Sequence, residues 1–218
     1  VVLDHHRQSS DNIDNALLSY IEPYASSACE MVSEVLQYIV DDIKIPNLEA
    51  SSLYAGIMID TNNFMNKTGV RTFEAAAFLR RSGADITLVR KMFRDDMESY
   101  RAKAQIISSA KVYHNKYAIA RGENLTIESP TIIGAQAANE LLDINEVKAS
   151  FVLTTYNGRI YVSARSIDEV NVQIIMERLG GGGHMNASGA QFDHTDMDEA
   201  VADLKQVIDD VIEGGEIE

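Results

Sequence analysis

The 218-residue sequence predicts an α/β protein built in two parts. Three observations carry that prediction. The apolar opening Val1-Val2-Leu3 reads as a buried strand that delivers Asp4-His5-His6 at its C-terminal end, where open α/β sheets place their chemistry. Three apolar stretches at helical spacing follow it. Past the charged residues 86–110 the chain changes character, into short β-like runs around an Asn157-Gly158 turn.

A polar stretch, residues 7–14, separates the opening strand from the first helix. Ser27-Ala28-Cys29-Glu30 has the form of a capping box, and Ala28, Met31, Val32, Val35, Leu36 and Ile39 then recur at helical spacing, so a helix of about 14 residues is expected. Pro46 interrupts it, because a proline inside a helix removes a hydrogen bond and clashes with the preceding turn. Residues 48–59 form a second apolar helical stretch ending in Asp60-Thr61-Asn62-Asn63-Phe64, and residues 71–81 a third, closed by Gly83. Residues 86–110 are helical in pattern but dense in charge, which reads as a solvated connector between a first domain, 1–85, and a second, 111–218.

In the second domain residues 111–113, 117–120 and 149–166 read as strands. Asn157-Gly158 sits between alternating runs, the signal of a type I′ hairpin. Period-2 alternation puts Tyr161, Ser163 and Arg165 on one face and Ile160, Val162 and Ala164 on the other, so Ser163 and Arg165 can serve one site. A helical stripe of Val172, Ile175, Met176 and Leu179 stops at four glycines, and a last amphipathic helix carries Met197, Ala200, Val201, Leu204, Val207, Ile208 and Val211. No internal repeat recurs.

Composition narrows the function. With 19 Lys+Arg against 33 Asp+Glu the net charge is −14, so most of the surface repels a polyanion and long nucleic acid is not an expected partner. A small phosphorylated ligand remains compatible, since a local Arg/Lys pocket or a metal overcomes the global field within a Debye length of about 8 Å. No apolar run has the length of a membrane helix and no secretory leader opens the chain, so this segment is not expected to contact a membrane. The single Cys29 forms no internal disulfide and reads as a core thiol in a reducing cytoplasm. The start at Val1 instead of Met suggests a cut inside a longer protein.

Two stretches bear chemistry. Asp4-His5-His6 fits either a hydrogen-bonded strand end or a metal site; Asp60, a carboxylate directly after Ile57-Met58-Ile59, favours the metal, because such a charge is costly to bury unless paired. Mixed carboxylate and imidazole donors suit Mn²⁺ or a similar cation. In the run Gly180-Gly181-Gly182-Gly183-His184-Met185-Asn186-Ala187-Ser188-Gly189-Ala190, one glycine would suffice to cap a helix. Four in a row, followed at once by a histidine, leave backbone N–H groups free to approach an anion closely.

Taken together, Val-x-x-Asp4-His5-His6-Arg7, Asp60-Thr61-x-x-Phe64, Ser163-x-Arg165-Ser166 and the Gly-Gly-Gly-Gly-His-x-x-Ala-Ser-Gly run resemble the DHH phosphoesterase superfamily with its C-terminal DHH-associated domain, over essentially the whole chain. The phrases at residues 22–27, 72–80 and 171–177 are most similar to the cyclic-di-AMP phosphodiesterase branch of that superfamily. The resemblance implies a truncated DHH domain with a parallel sheet, followed by a smaller mixed-sheet α/β domain. It implies metal ligation by His5 and Asp60, with Asp4 and His6 supporting them, and substrate phosphate held by Ser163, Arg165, His184 and the backbone of Gly181, Gly182 and Gly183. It also implies two Mn²⁺ ions, a cyclic dinucleotide substrate opened to linear pApA, and a parent protein anchored in the membrane with this region facing the cytoplasm. A homodimer is left open.

The superfamily's first motifs, a His and Asp cluster and a further bridging Asp that precede Asp-His-His, are absent from this sequence, so the fragment is expected to be inactive alone. His194-Thr195-Asp196-Met197-Asp198 matches that cluster in letters only and reads as an N-cap, Thr195 to Asp198, on the last helix. Two other readings remain: an oligoribonuclease or pAp phosphatase of the same superfamily, or a regulatory nucleotide-binding module that hydrolyses nothing.

Overall fold

The computed structural model describes residues 1–6, 13, 15–39, 42–167, 169–193 and 196–217. It divides into two compact units, Val1–Arg94 and Asp95–Glu218. Among the described residues no helix is long and apolar enough to cross a membrane.

The first unit opens with β1 (Val2–Asp4), which pairs in parallel with β2 (Ser19–Ile21), Val2 opposite Ser19 and Asp4 opposite Ile21. The polar stretch expected between the opening strand and the first helix falls largely outside the described residues, and β2 lies directly after it. Four helices follow: α1 (Ala28–Ile39), α2 (Asn47–Asp60), α3 (Val70–Arg81) and α4 (Ile86–Met92). The capping box on α1 is displaced by one residue. Ser27 Oγ accepts from Glu30 N at 3.0 Å as expected, but the Glu30 carboxylate reaches back to Ser26, accepting from its N at 3.4 Å and its Oγ at 2.5 Å. That return bond is what lets a buried carboxylate sit here.

Pro46 stands just before α2, at the boundary the sequence predicts. α1 crosses α2 where Gly56 leaves room: a Cβ there would lie 2.3 Å from Cys29 Sγ. The core of the unit is Ala50, Ile57, Ala75, Leu79 and Ala84, filled in by Leu53, Tyr54, Phe64 and Phe78. Its members are mostly small, so the helices pack at close range.

The charged stretch expected as one connector is two helices. α4 starts at Asp85, whose carboxylate accepts from Thr87 N and Leu88 N, and packs on α2. α5 (Met97–Ser108) starts at Asp96, which accepts from Glu98 N and Ser99 N, and belongs to the second unit. Its face is not wholly solvated: Ala102 and Ile106 are buried, and Lys103 is held between Asp95 (3.0 Å) and Glu140 (2.7 Å).

The second unit is a six-stranded mixed sheet in the order β3-β4-β5-β6-β8-β7, made of β3 (Lys111–Tyr113), β4 (Tyr117–Gly122), β5 (Ala149–Tyr156), β6 (Arg159–Ser166), β7 (Gly182–His184) and β8 (Ala187–Phe192). All neighbours are antiparallel except β4 and β5, joined through α6 (Pro130–Leu141). Asn157 and Gly158 take φ of 49° and 73°, the two positive values that a type I′ turn requires. On one face α7 (Val172–Arg178) and α8 (Met197–Glu213) cover Phe151, Leu153, Ile160, Val162 and Ala164; on the other α5 and α6 cover Ala118, Ala120 and Val152. The expected cap at Thr195, like His194, lies outside the described residues; α8 is capped by Asp196, which accepts from Asp198 N and Glu199 N.

The glycine run is not a loop. Gly180 closes α7 at φ 77°, and Gly182–His184 is β7. Two positions are glycine because the fold demands it. A Cβ on Gly181 would stand 2.1 Å from the Gly189 carbonyl oxygen, and Gly183 combines φ 143° with a Cβ position 2.6 Å from Ser188 Cα. At Gly182 a Cβ would meet nothing within 4 Å. Gly183→Ala is therefore expected to cost about 1–3 kcal/mol, several degrees in Tm for a chain of this size, whereas Gly182→Ala leaves Tm in place. Thermal unfolding of the two variants checks this, and equal losses would contradict it.

At the far edge Asp209 on α8 ties down the turn between β3 and β4. His114 Nε2 lies 2.7 Å from Asp209 Oδ1, and Tyr113 Oη donates to the same carboxylate at 2.7–2.9 Å. The hydrogen bonds of His114 and then Tyr113 hold the Asp209 carboxyl below its ordinary value. A depressed carboxyl stabilises the fold above its unfolded value and loses that contribution as pH falls through the folded one. Protection of the β3 amides relative to their intrinsic exchange rates should fall on acidification below the ordinary carboxylate range, and Asp209→Asn should show the lower protection already at neutral pH.

Candidate functional site

The residues singled out by the sequence fall into two clusters, one in each unit. In the first unit β1 places Asp4, His5 and His6 at its C-terminal end, and α2 ends on Asp60. The structure sorts the four side chains into two pairs. Asp4 Oδ1 accepts from His6 N at 3.1 Å and lies 2.7 Å from His6 Nδ1, and these bonds lower the Asp4 pKa. His5 Nε2 instead lies 3.6 Å from Asp60 Oδ2, with the imidazole 13% and the carboxylate 39% exposed. The two histidine rings lie 4.4 Å apart, tilted by 49°.

The turn after Asp60 fixes the end of α2. Thr61 Oγ1 donates to the Ile57 carbonyl at 2.7 Å and accepts from Phe64 N at 2.9 Å, closing a turn in which Asn62, Asn63 and Phe64 all have positive φ, 47° to 64°. Three non-glycine residues in the left-handed region are costly, and asparagine tolerates it best. Such strain persists only where the surroundings over-determine it.

Two donors on one octahedral ion stand about 3 Å apart. The 3.6 Å between His5 Nε2 and Asp60 Oδ2 is close to that spacing, so this pair fits as part of a divalent-metal shell. Among the described residues no three His, Cys, Asp or Glu side chains come together to hold a metal, so the pair is not a complete site. Cys29 is a neighbour that no sequence pattern connects with it: burial, and then the Asp60 charge, push its thiol pKa up. Asp60→Asn should therefore bring the Cys29 pKa down, though not to its ordinary value, because burial is the larger cause. Thiolate formation followed by alkylation rate against pH reads this cleanly, there being one cysteine in the chain.

The second cluster lies on the sheet. β6 pairs with β8 so that Ser163 is opposite Gly189 and Arg165 opposite Ala187; β7 continues the rows, Gly182 opposite Gly189 and His184 opposite Ala187. Directly paired residues share a face, as do residues two apart along a strand. Ser163, Arg165, Gly182, His184, Ala187 and Gly189 thus line one face, turned away from the core under α7 and α8, where Ala164 and Ser188 lie buried. Gly181 and Gly183 alternate out of this set and serve the packing described above. The members that sequence reasoning missed, Ala187 and Gly189, had a signal in the unbroken run of small residues Ala187-Ser188-Gly189-Ala190.

Arg165 is the charged centre of this strip. Its Nη1 donates to the Ala164 carbonyl at 2.9 Å, it is half-buried, and among the described residues no carboxylate pairs with it. Burial lowers its pKa. A guanidinium partly withdrawn from water with no counter-ion among the described residues, beside bare backbone, is suited to receive an anion. His184 stands exposed two residues across the sheet from it, and its carbonyl accepts from Ser188 Oγ at 2.5 Å.

Comparison with known proteins finds two family models, one in each part of the chain. The family model "DHH family, N-terminal domain" matches residues 1–57, and that of the DHHA1 domain matches residues 116–213. The chain is 44% identical over 216 residues to the cyclic-di-AMP phosphodiesterase GdpP of Geobacillus thermodenitrificans, covering 99% of this chain and 33% of that protein. It is 41% identical over 210 residues to the cyclic-di-AMP phosphodiesterase PdeA of Listeria monocytogenes, covering 96% of this chain and 32% of that one. The chain thus spans about a third of the length of these curated relatives. A crystal structure of an exopolyphosphatase-related protein from Bacteroides fragilis superposes with a TM-score of 0.81 at 25% identity, over 96% of this chain and 63% of that one.

Proposed function

The chain belongs to the DHH phosphoesterase family and carries a DHHA1 domain, and from that premise we propose that it is part of a divalent-metal phosphodiesterase that hydrolyses cyclic di-AMP to linear pApA. The observation that carries the reading is Arg165: a half-buried guanidinium with no carboxylate partner among the described residues, on a strip whose middle row is Ser163, Gly189 and Gly182. A glycine that nothing in the fold requires, Gly182, keeps that row bare. The 41–44% identity to two cyclic-di-AMP phosphodiesterases supports a cyclic dinucleotide as the substrate.

In this reading Arg165 presents its planar fork to a substrate phosphate, Ser163 Oγ and backbone N–H groups of Gly182 and Gly183 add donors, and His184 adds a further hydrogen bond or charge; the N–H of Gly181, expected to join them, is instead bonded to the Met176 carbonyl at 2.8 Å. His5 and Asp60 contribute an imidazole and a carboxylate to the metal shell, and the Asp4–His6 pair fixes the strand end that carries His5. Divalent ions, Mn²⁺ in this reading, supply Lewis-acid polarisation of the phosphoryl oxygens and a lowered pKa for water. The remaining ligands are assigned to parts of a longer protein beyond these 218 residues, and with them a membrane anchor, this region facing the cytoplasm.

Incubation of that longer protein with Mn²⁺ and cyclic di-AMP should yield pApA, while the 218-residue chain alone binds the dinucleotide without turning it over. Turnover of pApA or of 3′-phosphoadenosine with none of cyclic di-AMP would move the assignment to an oligoribonuclease or pAp phosphatase. No hydrolysis of any phosphodiester would leave a binding module. Arg165→Ala and His184→Ala are each expected to weaken dinucleotide binding by about 1.5–3 kcal/mol, the scale of a hydrogen bond to a charged group, with metal content unchanged. Calorimetry beside metal analysis reads both.

A further inference from the structure

We propose that the strip on the β6–β8–β7 face is one nucleotide long, and that Tyr161 is its base-stacking end and a determinant of specificity for nucleotides over simpler phosphates. The inference rests on the reading of Arg165 and His184 as the phosphate end and extends it to a residue outside that contact set.

The register supplies the argument. On one face, successive rows of the sheet are Arg165, Ala187 and His184; then Ser163, Gly189 and Gly182; then Tyr161 with Gln191. Rows are two residues apart, about 6.7 Å, so Tyr161 stands roughly 13 Å along the strand from Arg165. The chemistry changes in that order from cationic, to bare, to aromatic. A 5′-nucleotide has the same order, phosphate, sugar and base. With its phosphate against Arg165, its ribose lies over the row with almost no side chains, and its base comes against the Tyr161 ring.

Tyr161 is half-buried, and the Tyr156 ring lies 6.3 Å away at 55°, which makes an aromatic corner at this end of the strip. Gln191, directly opposite and exposed, offers an amide donor and acceptor suited to an adenine edge. Base stacking on an aromatic side chain is sequence-tolerant and contributes substantially per base. A purely structural account assigns Tyr161 to hairpin stability, as an aromatic neighbour of Tyr156 near the turn. That account predicts no dependence of ligand affinity on the presence of a base.

Calorimetry on the full 218-residue chain with two probes, AMP and ribose 5-phosphate, separates these accounts. AMP is expected to bind on the order of 10-fold or more tighter than ribose 5-phosphate, the stacking contribution of one base. Tyr161→Ala should bring AMP down to the affinity of ribose 5-phosphate without changing the latter, and Tyr161→Phe should keep the preference. Equal binding of the two probes to the unaltered chain, or a preference that survives Tyr161→Ala, overturns the stacking role and leaves the phosphate reading standing. Loss of ribose 5-phosphate binding in Tyr161→Ala overturns it in favour of the structural account. Failure of the unaltered chain to bind either probe overturns both the stacking role and the phosphate reading on which it rests.

Discussion

The pairing of β8 with β6 in a single register is the constraint on which the second unit's chemistry depends. A slip of β8 by one residue would turn Ala187 and Gly189 into the core under α7 and α8 and bring Ser188 and Ala190 to the face that carries Ser163 and Arg165. Two features prevent the slip. Ala164, Val162 and Ile160 are fully committed to the apolar face, and the β7–β8 hairpin approaches so closely at Gly181 and Gly183 that no side chain fits between the backbones. The glycines of the run therefore divide into two kinds. Those that fix the register make the site possible, and the one between them, Gly182, is free of structural duty.

How much of this was legible in the sequence depended on whether the signal was local. Asn157-Gly158 announces its hairpin because the turn chemistry is contained in two residues, and Pro46, Gly83 and the apolar stripe of α8 mark their boundaries for the same reason. α6 is hard to read, although Ser129-Pro130 is an N-terminal helix signal, because its buried face is built from Ala137, Ala138 and Gly134, which give little apolar contrast. Gly134 is there because Thr154 of β5 stands where its side chain would be. β8 is hidden likewise, its sequence Ala-Ser-Gly-Ala-Gln-Phe having weak strand propensity and taking its order from both neighbours.

The site was legible as letters and not as pairs. Asp4, His5, His6 and Asp60 stand out by type and spacing, but that Asp4 turns to His6 while His5 turns to Asp60 is decided by β1 ending beside the last turn of α2. Cys29 near Asp60 is beyond any sequence pattern, since the contact follows from α1 crossing α2 at Gly56. The displaced capping box shows the same limit on a smaller scale. The motif names Ser27 and Glu30 correctly, and only the local backbone path decides that the carboxylate returns to Ser26.

The break in the charged stretch has an evolutionary consequence. α4 and α5 each begin on their own aspartate, Asp85 and Asp96, so neither helix relies on the other for its start. Each side has its own core, and the boundary between the units falls at Arg94 and Asp95. Such a seam tolerates recombination: a gene joined there to a different neighbour would inherit a helix with its cap already encoded, and no new terminus would have to be invented. A sheet bounded in this way can travel between proteins as a ready-made part.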